Sequence, residues 1–184
     1  MVGIEPTVIA PDVDEEAVVQ DMDDLTPQDY VQVLATAKAR AVATRDGIGK
    51  ALVLGCDSAF EFDGDLYGKP GTAEVALERW LHMRGRSGIL HTGHCLIDPV
   101  SGAQATRVVS TEVEFADITE AEVQWYVSTG EPLQVAGAFT LEGLAAPFIT
   151  RVVGDPHSVV GLSVAALRQL AIELGSRWSA LLAR

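Results

Sequence analysis

ALVLGCDSAFEFDGDLYGKP, residues Ala51 to Pro70, is the stretch whose reading decides the fold. Ala51 to Cys56 is an unbroken apolar run, as in a strand covered on both faces. It stops at Asp57. Phe60 and Phe62 then alternate with polar residues up to Asp63-Gly64, a dipeptide that favours the two-residue turn of a β-hairpin. The returning arm leads into Gly68-Lys69-Pro70. Gly68 permits close backbone approach and Pro70 stiffens the exit, so Lys69 is presented at a fixed place. A carboxylate at the end of a buried strand, with a cation brought back by a tight turn, has the composition of an active-site edge.

Working outward from this hairpin, strands and helices alternate. Toward the N-terminus, Thr26-Pro27 opens a helix to about Arg45, with a capping hydroxyl followed by proline at the first helical position. Its apolar face is Val31, Leu34, Ala35, Ala41 and Val42, and Lys38 falls on the same face. Before it come a short strand at Thr7-Val8-Ile9 and an acidic loop with Asp12, Asp14, Glu15, Glu16, Asp21, Asp23 and Asp24. Toward the C-terminus, Thr72 caps a helix that turns Ala76, Leu77, Trp80 and Leu81 inward and ends at Gly85. Ile89 to Ile97 and Arg107 to Phe115 read as paired strands across the Pro99–Gly102 turn. Thr119 and Glu122 form a capping box, with Ile118 and Val123 placed as a hydrophobic staple. Pro147 to Val153 reads as a strand, and Ser163 caps a last helix closed by Gly175. The fold class is α/β, a single domain over residues 1–184 with a central mixed sheet flanked by helices.

The bulk numbers narrow the function. A chain of 184 residues, 48% apolar, is globular and long enough for one sizeable core. A formal charge of −13 repels nucleic acid backbones and anionic membranes. An anionic small substrate must therefore meet local lysines, backbone N–H groups or a bridging metal ion. Cys56 and Cys95 have no metal-type spacing and read as small buried hydrophobes. No apolar run approaches the length of a membrane span, and the first residues carry no secretory signal pattern. The expected compartment is the cytoplasm.

Position alone leaves the chemistry of each candidate open. Asp57 can serve as a general base or metal holder in the crevice at a strand's C-terminal end, or simply start a turn. Lys69 can hold a phosphate as a point charge, or be an exposed loop lysine. Lys38 can aim its amine into a cleft, or snorkel from an apolar face. The acidic segment can supply a metal ligand or a sugar contact, or be solvated surface. His91 and His94 are three apart in a strand, so they face opposite sides and do not share one metal easily.

Taken together the segments resemble the Maf family of nucleoside triphosphate pyrophosphatases, the septum formation inhibitor-like proteins. The resemblance is carried by PDVDE at Pro11 to Glu15, AKARAVA at Ala37 to Ala43 and GCDS at Gly55 to Ser58. It continues through DGDLYGKP at Asp63 to Pro70, TGEPLQVAGAFTLEGLAAPFI at Thr129 to Ile149 and GDPHSVVGLS at Gly154 to Ser163. It implies hydrolysis of a nucleoside triphosphate to the monophosphate and pyrophosphate, with a divalent metal, magnesium or manganese. It also implies Asp57 as general base, Lys38 and Lys69 on phosphate oxygens, and Asp14 as an acidic contact. Ser58 and Glu142 stand where the family tunes base choice, and a homodimer is the expected assembly.

Two departures from the family pattern are visible. The family opens with a strand, a Ser/Arg phosphate-binding turn and a helix, whereas Met1-Val2-Gly3-Ile4-Glu5-Pro6 aligns just after that helix. The sequence-based expectation is a start upstream of Met1, or a weakened form. Ser58 with Glu142 matches neither the dTTP/UTP branch nor the methylated-GTP branch cleanly, so the base stays open. Two other readings remain beside the pyrophosphatase. One is a nucleotide-binding protein of the same fold acting in cell division. The other is a phosphomonoesterase with Asp57 as nucleophile, against which Ala59 counts because a second aspartate is expected there.

Overall fold

The computed structural model describes residues 3–22 and 24–182; Met1, Val2 and the Asp23 counted in the acidic segment lie outside the described residues. Helices α1 (Glu15–Val19) and α2 (Pro27–Ala43) come first, then strands β1 (Val53–Phe62) and β2 (Asp65–Tyr67). Helix α3 (Ala73–Met83), strands β3 (Ser87–Ile97) and β4 (Gln104–Phe115) and helix α4 (Glu120–Ser128) follow. Strand β5 (Ile149–Val153) and helices α5 (Pro156–Val159) and α6 (Val164–Glu173) complete the set. The strands form one sheet in the order β2-β1-β3-β4-β5. The α/β class holds, and the sheet is antiparallel where the sequence predicts a mixed one. Its hairpin links, β1 to β2 and β3 to β4, force neighbouring strands into opposite directions.

Local chemistry sets most boundaries. The Thr26 hydroxyl accepts the Asp29 N–H at 3.1 Å and starts α2. Phe62 pairs with Asp65 across the hairpin. Asp63 and Gly64 both take the left-handed conformation, φ 54° and 88°, that a two-residue turn of this kind demands. The Thr119 capping box forms with both hydrogen bonds in place, and Ile118 and Val123 are both buried.

Four expectations are corrected. Asp57, expected where an apolar strand stops, lies inside β1, because no turn-forming residue separates it from Phe60 and Phe62 and the extended chain runs on to the Asp63-Gly64 turn. Thr7-Val8-Ile9 is loop, with Val8 90% exposed, because three residues with no face to bury gain nothing from a strand conformation. Part of the acidic loop is helical: the Asp14 carboxylate accepts the Ala17 N–H at 3.1 Å and caps α1. The strand expected from Pro147 begins at Ile149. Ala146–Phe148 is a single 3-10 turn, closed by the Phe148 N–H on the Ala145 carbonyl at 2.8 Å.

Within this sheet-based fold the chain groups into two compact units. The first comprises Met1–Asp57, Gly93–Val108 and Val164–Arg184, and the second Ser58–Thr92 and Val109–Ser163. In the first, Ala39 of α2 packs with Cys95 and Ile97 of β3. The second holds an aromatic core of Phe60, Phe62, Trp80, Phe115, Tyr126, Phe139 and Phe148. Most of its ring pairs meet edge-on, with centroids 5.0 Å apart for Phe115–Phe139 and 5.2 Å for Trp80–Tyr126, while Phe60 and Phe62 are stacked at 6.1 Å. Such pairs each add about 0.5–1.5 kcal/mol beyond the area they bury. The Trp80 indole N–H is satisfied by the Ala138 carbonyl at 2.8 Å.

Candidate active site

Two glycines bring helix α2 down onto the strands of the first unit. A Cβ at Gly55 would stand 2.3 Å from the Ala35 carbonyl oxygen and 2.6 Å from the Ala39 nitrogen. One at Gly93 would stand 2.4 Å from the Val31 carbonyl oxygen. Neither approach is open to any other residue without moving the helix backbone. Lys38, one residue before Ala39, thereby comes over the face of β1 that Gly55 shares with Asp57.

Its ammonium nitrogen lies 2.5 Å from Asp57 Oδ1 and 2.7 Å from Glu15 Oε1. The side chains of Lys38 and Asp57 keep only 18% and 11% of their exposure, so this ion pair is largely shielded from solvent. Burial pulls the Lys38 pKa down, but the hydrogen bonds to Asp57 and Glu15 outweigh it and hold the amine above the ordinary lysine value. The lysine therefore remains a cation at neutral pH. Around it, burial first, then the charges of Asp57 and Glu15, raises the Tyr30 phenol. Burial, reinforced by Asp57, pushes the neighbouring Cys56 thiol up to about 12.

The remaining sequence-predicted residues are placed as follows. Asp14 is exposed, and its carboxylate is engaged as the cap of α1, which carries Glu15 at its first position. The other three belong to the second unit. Lys69 is exposed and makes no ion pair among the described residues, while its loop is pinned on both sides. The Gly68 carbonyl accepts from Arg79 Nη1 at 2.7 Å, and the Gly71 N–H donates to the Leu133 carbonyl at 3.0 Å. Ser58 Oγ is 2.9 Å from Thr92 Oγ1, and Thr92 gives its one proton to the Ser158 carbonyl at 2.8 Å. Ser58 is thus the donor in its pair, which leaves its lone pairs for other contacts. Glu142 is exposed on a segment held by Glu131, whose carboxylate accepts the Leu144 N–H at 2.8 Å and the Tyr126 hydroxyl at 3.0 Å.

The sequence matches the profile of the family described as Maf-like protein over residues 1–174. The chain belongs to this family. A relative in Salinispora tropica named nucleoside triphosphate pyrophosphatase is 50% identical over 175 residues, which cover 94% of this chain and 76% of the relative. One of the same name in Streptomyces coelicolor is 48% identical, covering 95% of this chain and 82% of that protein. A third, in Thermosynechococcus vestitus, is 44% identical, covering 95% and 85%.

In this Maf-like chain the structure joins Lys38 and Asp57, which the sequence treats separately, and adds Glu15, which it leaves inside a general acidic segment. The only available signal for Glu15 was the Asp14 cap, which fixes where α1 begins and so where its first carboxylate points. Glu131 was also unmarked. It acts through backbone N–H groups of a loop thirteen residues away, and no spacing rule reports that.

Among the described residues no group of three His, Cys, Asp or Glu side chains is arranged to hold a metal ion by itself. Two carboxylates, Glu15 and Asp57, do converge on one cation. That number suits magnesium, which takes one or two protein carboxylates and completes its shell with water and substrate phosphates.

Proposed function

We infer that this chain hydrolyses a nucleoside triphosphate to the nucleoside monophosphate and pyrophosphate, with Asp57 as general base. The observation that carries this reading is the shielded Lys38–Asp57 ion pair, with the exposed Glu15 on the same ammonium, in a chain about half identical to proteins named nucleoside triphosphate pyrophosphatase. In the proposed step a water oxygen bonds to the α-phosphorus, the bond to the bridging oxygen breaks, pyrophosphate leaves, and the water proton passes to Asp57. An ammonium has three donors, and Glu15 and Asp57 take two of those on Lys38. A phosphate oxygen takes the third and competes with both carboxylates for the cation.

Lys69, with no carboxylate partner among the described residues, serves as the second phosphate contact. Glu15, with Asp57, is the pair that would hold magnesium or manganese arriving with the nucleotide. The ion supplies charge neutralisation of the phosphates. Asp14 keeps its place in the proposal as an acidic contact, and Ser58 and Glu142 as determinants of base choice. A homodimer in the cytoplasm completes the proposal, checked by light scattering on the purified chain and by fractionation.

The decisive experiment measures pyrophosphate release from a panel of canonical and modified nucleoside triphosphates, with magnesium or manganese, for wild type and Asp57→Asn. A loss of about 10²–10⁴ in rate is expected in the variant. Equal rates would remove Asp57 as base. Free phosphate as first product would point to a phosphomonoesterase, and nucleotide binding without turnover to a binding protein.

A further inference from the structure

Three adjacent strands of the second unit bring together a carboxylate, an imidazole and a hydroxyl that the proposed pyrophosphatase reaction does not use. His91 Nε2 on β3 lies 2.8 Å from Glu61 Oε2 on β1, and His91 Nδ1 lies 2.8 Å from Ser110 Oγ on β4. His91 is 1% exposed, whereas Ser110 is exposed and the Glu61 side chain retains 32% of its exposure. The three are separated by 30 and 19 positions in sequence, so no local motif announces them.

Hydrogen-bond valence orders the group. A carboxylate only accepts, so Nε2 carries the ring hydrogen. In the neutral ring Nδ1 then only accepts, and Ser110 directs its hydroxyl proton at it. A base within reach of a hydroxyl, held in tautomer and orientation by a carboxylate, is the arrangement that activates serine nucleophiles on unrelated folds.

We propose that Ser110 is a nucleophilic serine that takes an acyl group from an activated carboxylic ester, with His91 as its base and Glu61 as the residue that positions His91. Ser110 Oγ bonds to the ester carbonyl carbon while its proton passes to His91 Nδ1. The bond from that carbon to the leaving oxygen breaks, and the leaving group departs with its electron pair. Activated esters are the fitting class because a phenolate leaves without being protonated. His91 then releases that proton to solvent and is a base again; water attacks the acyl carbon as its proton passes to His91 Nδ1, the bond to Ser110 Oγ breaks, Oγ takes the proton back from His91, and the carboxylic acid leaves.

The test incubates the intact protein with p-nitrophenyl acetate, follows p-nitrophenolate release, and maps the acetyl group by peptide mass spectrometry. Acetyl on Ser110 in wild type, none at that position in Ser110→Ala, and an acylation rate lowered about 10²–10⁴-fold in Glu61→Gln are expected. The half-saturating ester concentration should be unchanged in Glu61→Gln, since Glu61 acts through His91. Thermal unfolding and pyrophosphate release, equal to wild type in Ser110→Ala, show that the fold is intact. Acetyl found on lysine or elsewhere with Ser110 unmodified overturns the proposal. So does acylation of Ser110 in Glu61→Gln at the wild-type rate. Because mapping on wild type already decides whether Ser110 reacts, the proposal does not depend on either variant folding.

Discussion

From Val53 to Asp57, strand β1 passes beneath helix α2 with only a hydrogen atom at Gly55 facing the helix backbone; from Ser58 to Phe62, the same strand carries two phenylalanines into an aromatic core. The first half gives up side-chain volume, and with it stabilisation, to let a helix close enough that Lys38 meets Asp57. The second half spends its positions on buried rings. Shielding also differs: the first half encloses the Lys38–Asp57 ion pair, whereas the second encloses hydrocarbon, a few satisfied hydroxyls and the His91 imidazole against the partly exposed Glu61. One continuous strand thus holds a site at one end and an anchor at the other, and the anchor offsets the cost of the site.

Substitutions separate the two halves. The largest expected effect lies in the anchor: Trp80→Ala removes a fully buried indole and leaves the Ala138 carbonyl without its donor, costing about 3–5 kcal/mol of stability by denaturant titration. Its folded fraction should retain the wild-type preference among nucleotides.

Next comes the Cys56 thiol beside Asp57, pushed up to about 12 from an ordinary value of 9.0. At pH 8 its alkylation by iodoacetamide should run about 10³-fold slower than that of an unperturbed thiol, because only the thiolate reacts. Mass mapping against a denatured control checks this. The raised folded value favours the neutral thiol, so its contribution to stability is complete below the unfolded pKa and is lost as pH climbs toward the folded one.

Lys38→Met should lower pyrophosphate release by about 10²–10³, the usual cost of removing one preorganised electrostatic contact. Unlike Trp80→Ala it should leave the core intact, as near-UV circular dichroism would report. Because Lys38 stands above the ordinary lysine value, the alkaline limb of the wild-type rate profile should not begin below that range. The smallest effect is expected at the floor of the site. Gly55→Ala forces α2 to shift and costs about 1–3 kcal/mol, as overpacking does. Activity should fall further than stability, since the shift displaces Lys38 from Asp57; a stability loss with full activity would break the contrast between the halves.

Much of the fold was legible because its signals are local. Thr26 and Thr119 cap helices through hydrogen bonds spanning three residues, and Asp63-Gly64 makes its turn by backbone preference alone. Phe60 and Phe62 declare a buried face by alternation. Thr7-Val8-Ile9 misled because β propensity requires a neighbouring strand, and Pro147 because proline equally suits the 3-10 turn it occupies. Asp57, Lys38 and Lys69 could each be singled out as a candidate, since the apolar run and the turn chemistry around them mark them. Their partners could not.

By itself, then, the sequence determined where most of the helices, the hairpin and the paired strands lie, and which charged residues are candidates for chemistry. Only the tertiary structure decided that Glu15 and Asp57 share Lys38, that Glu131 holds the loop of Glu142, and that Glu61, His91 and Ser110 line up across three strands. The physical reason is range. Caps, turns and alternation are settled by bonds within a few residues, whereas a shared proton or ion pair depends on packing that brings together positions tens of residues apart.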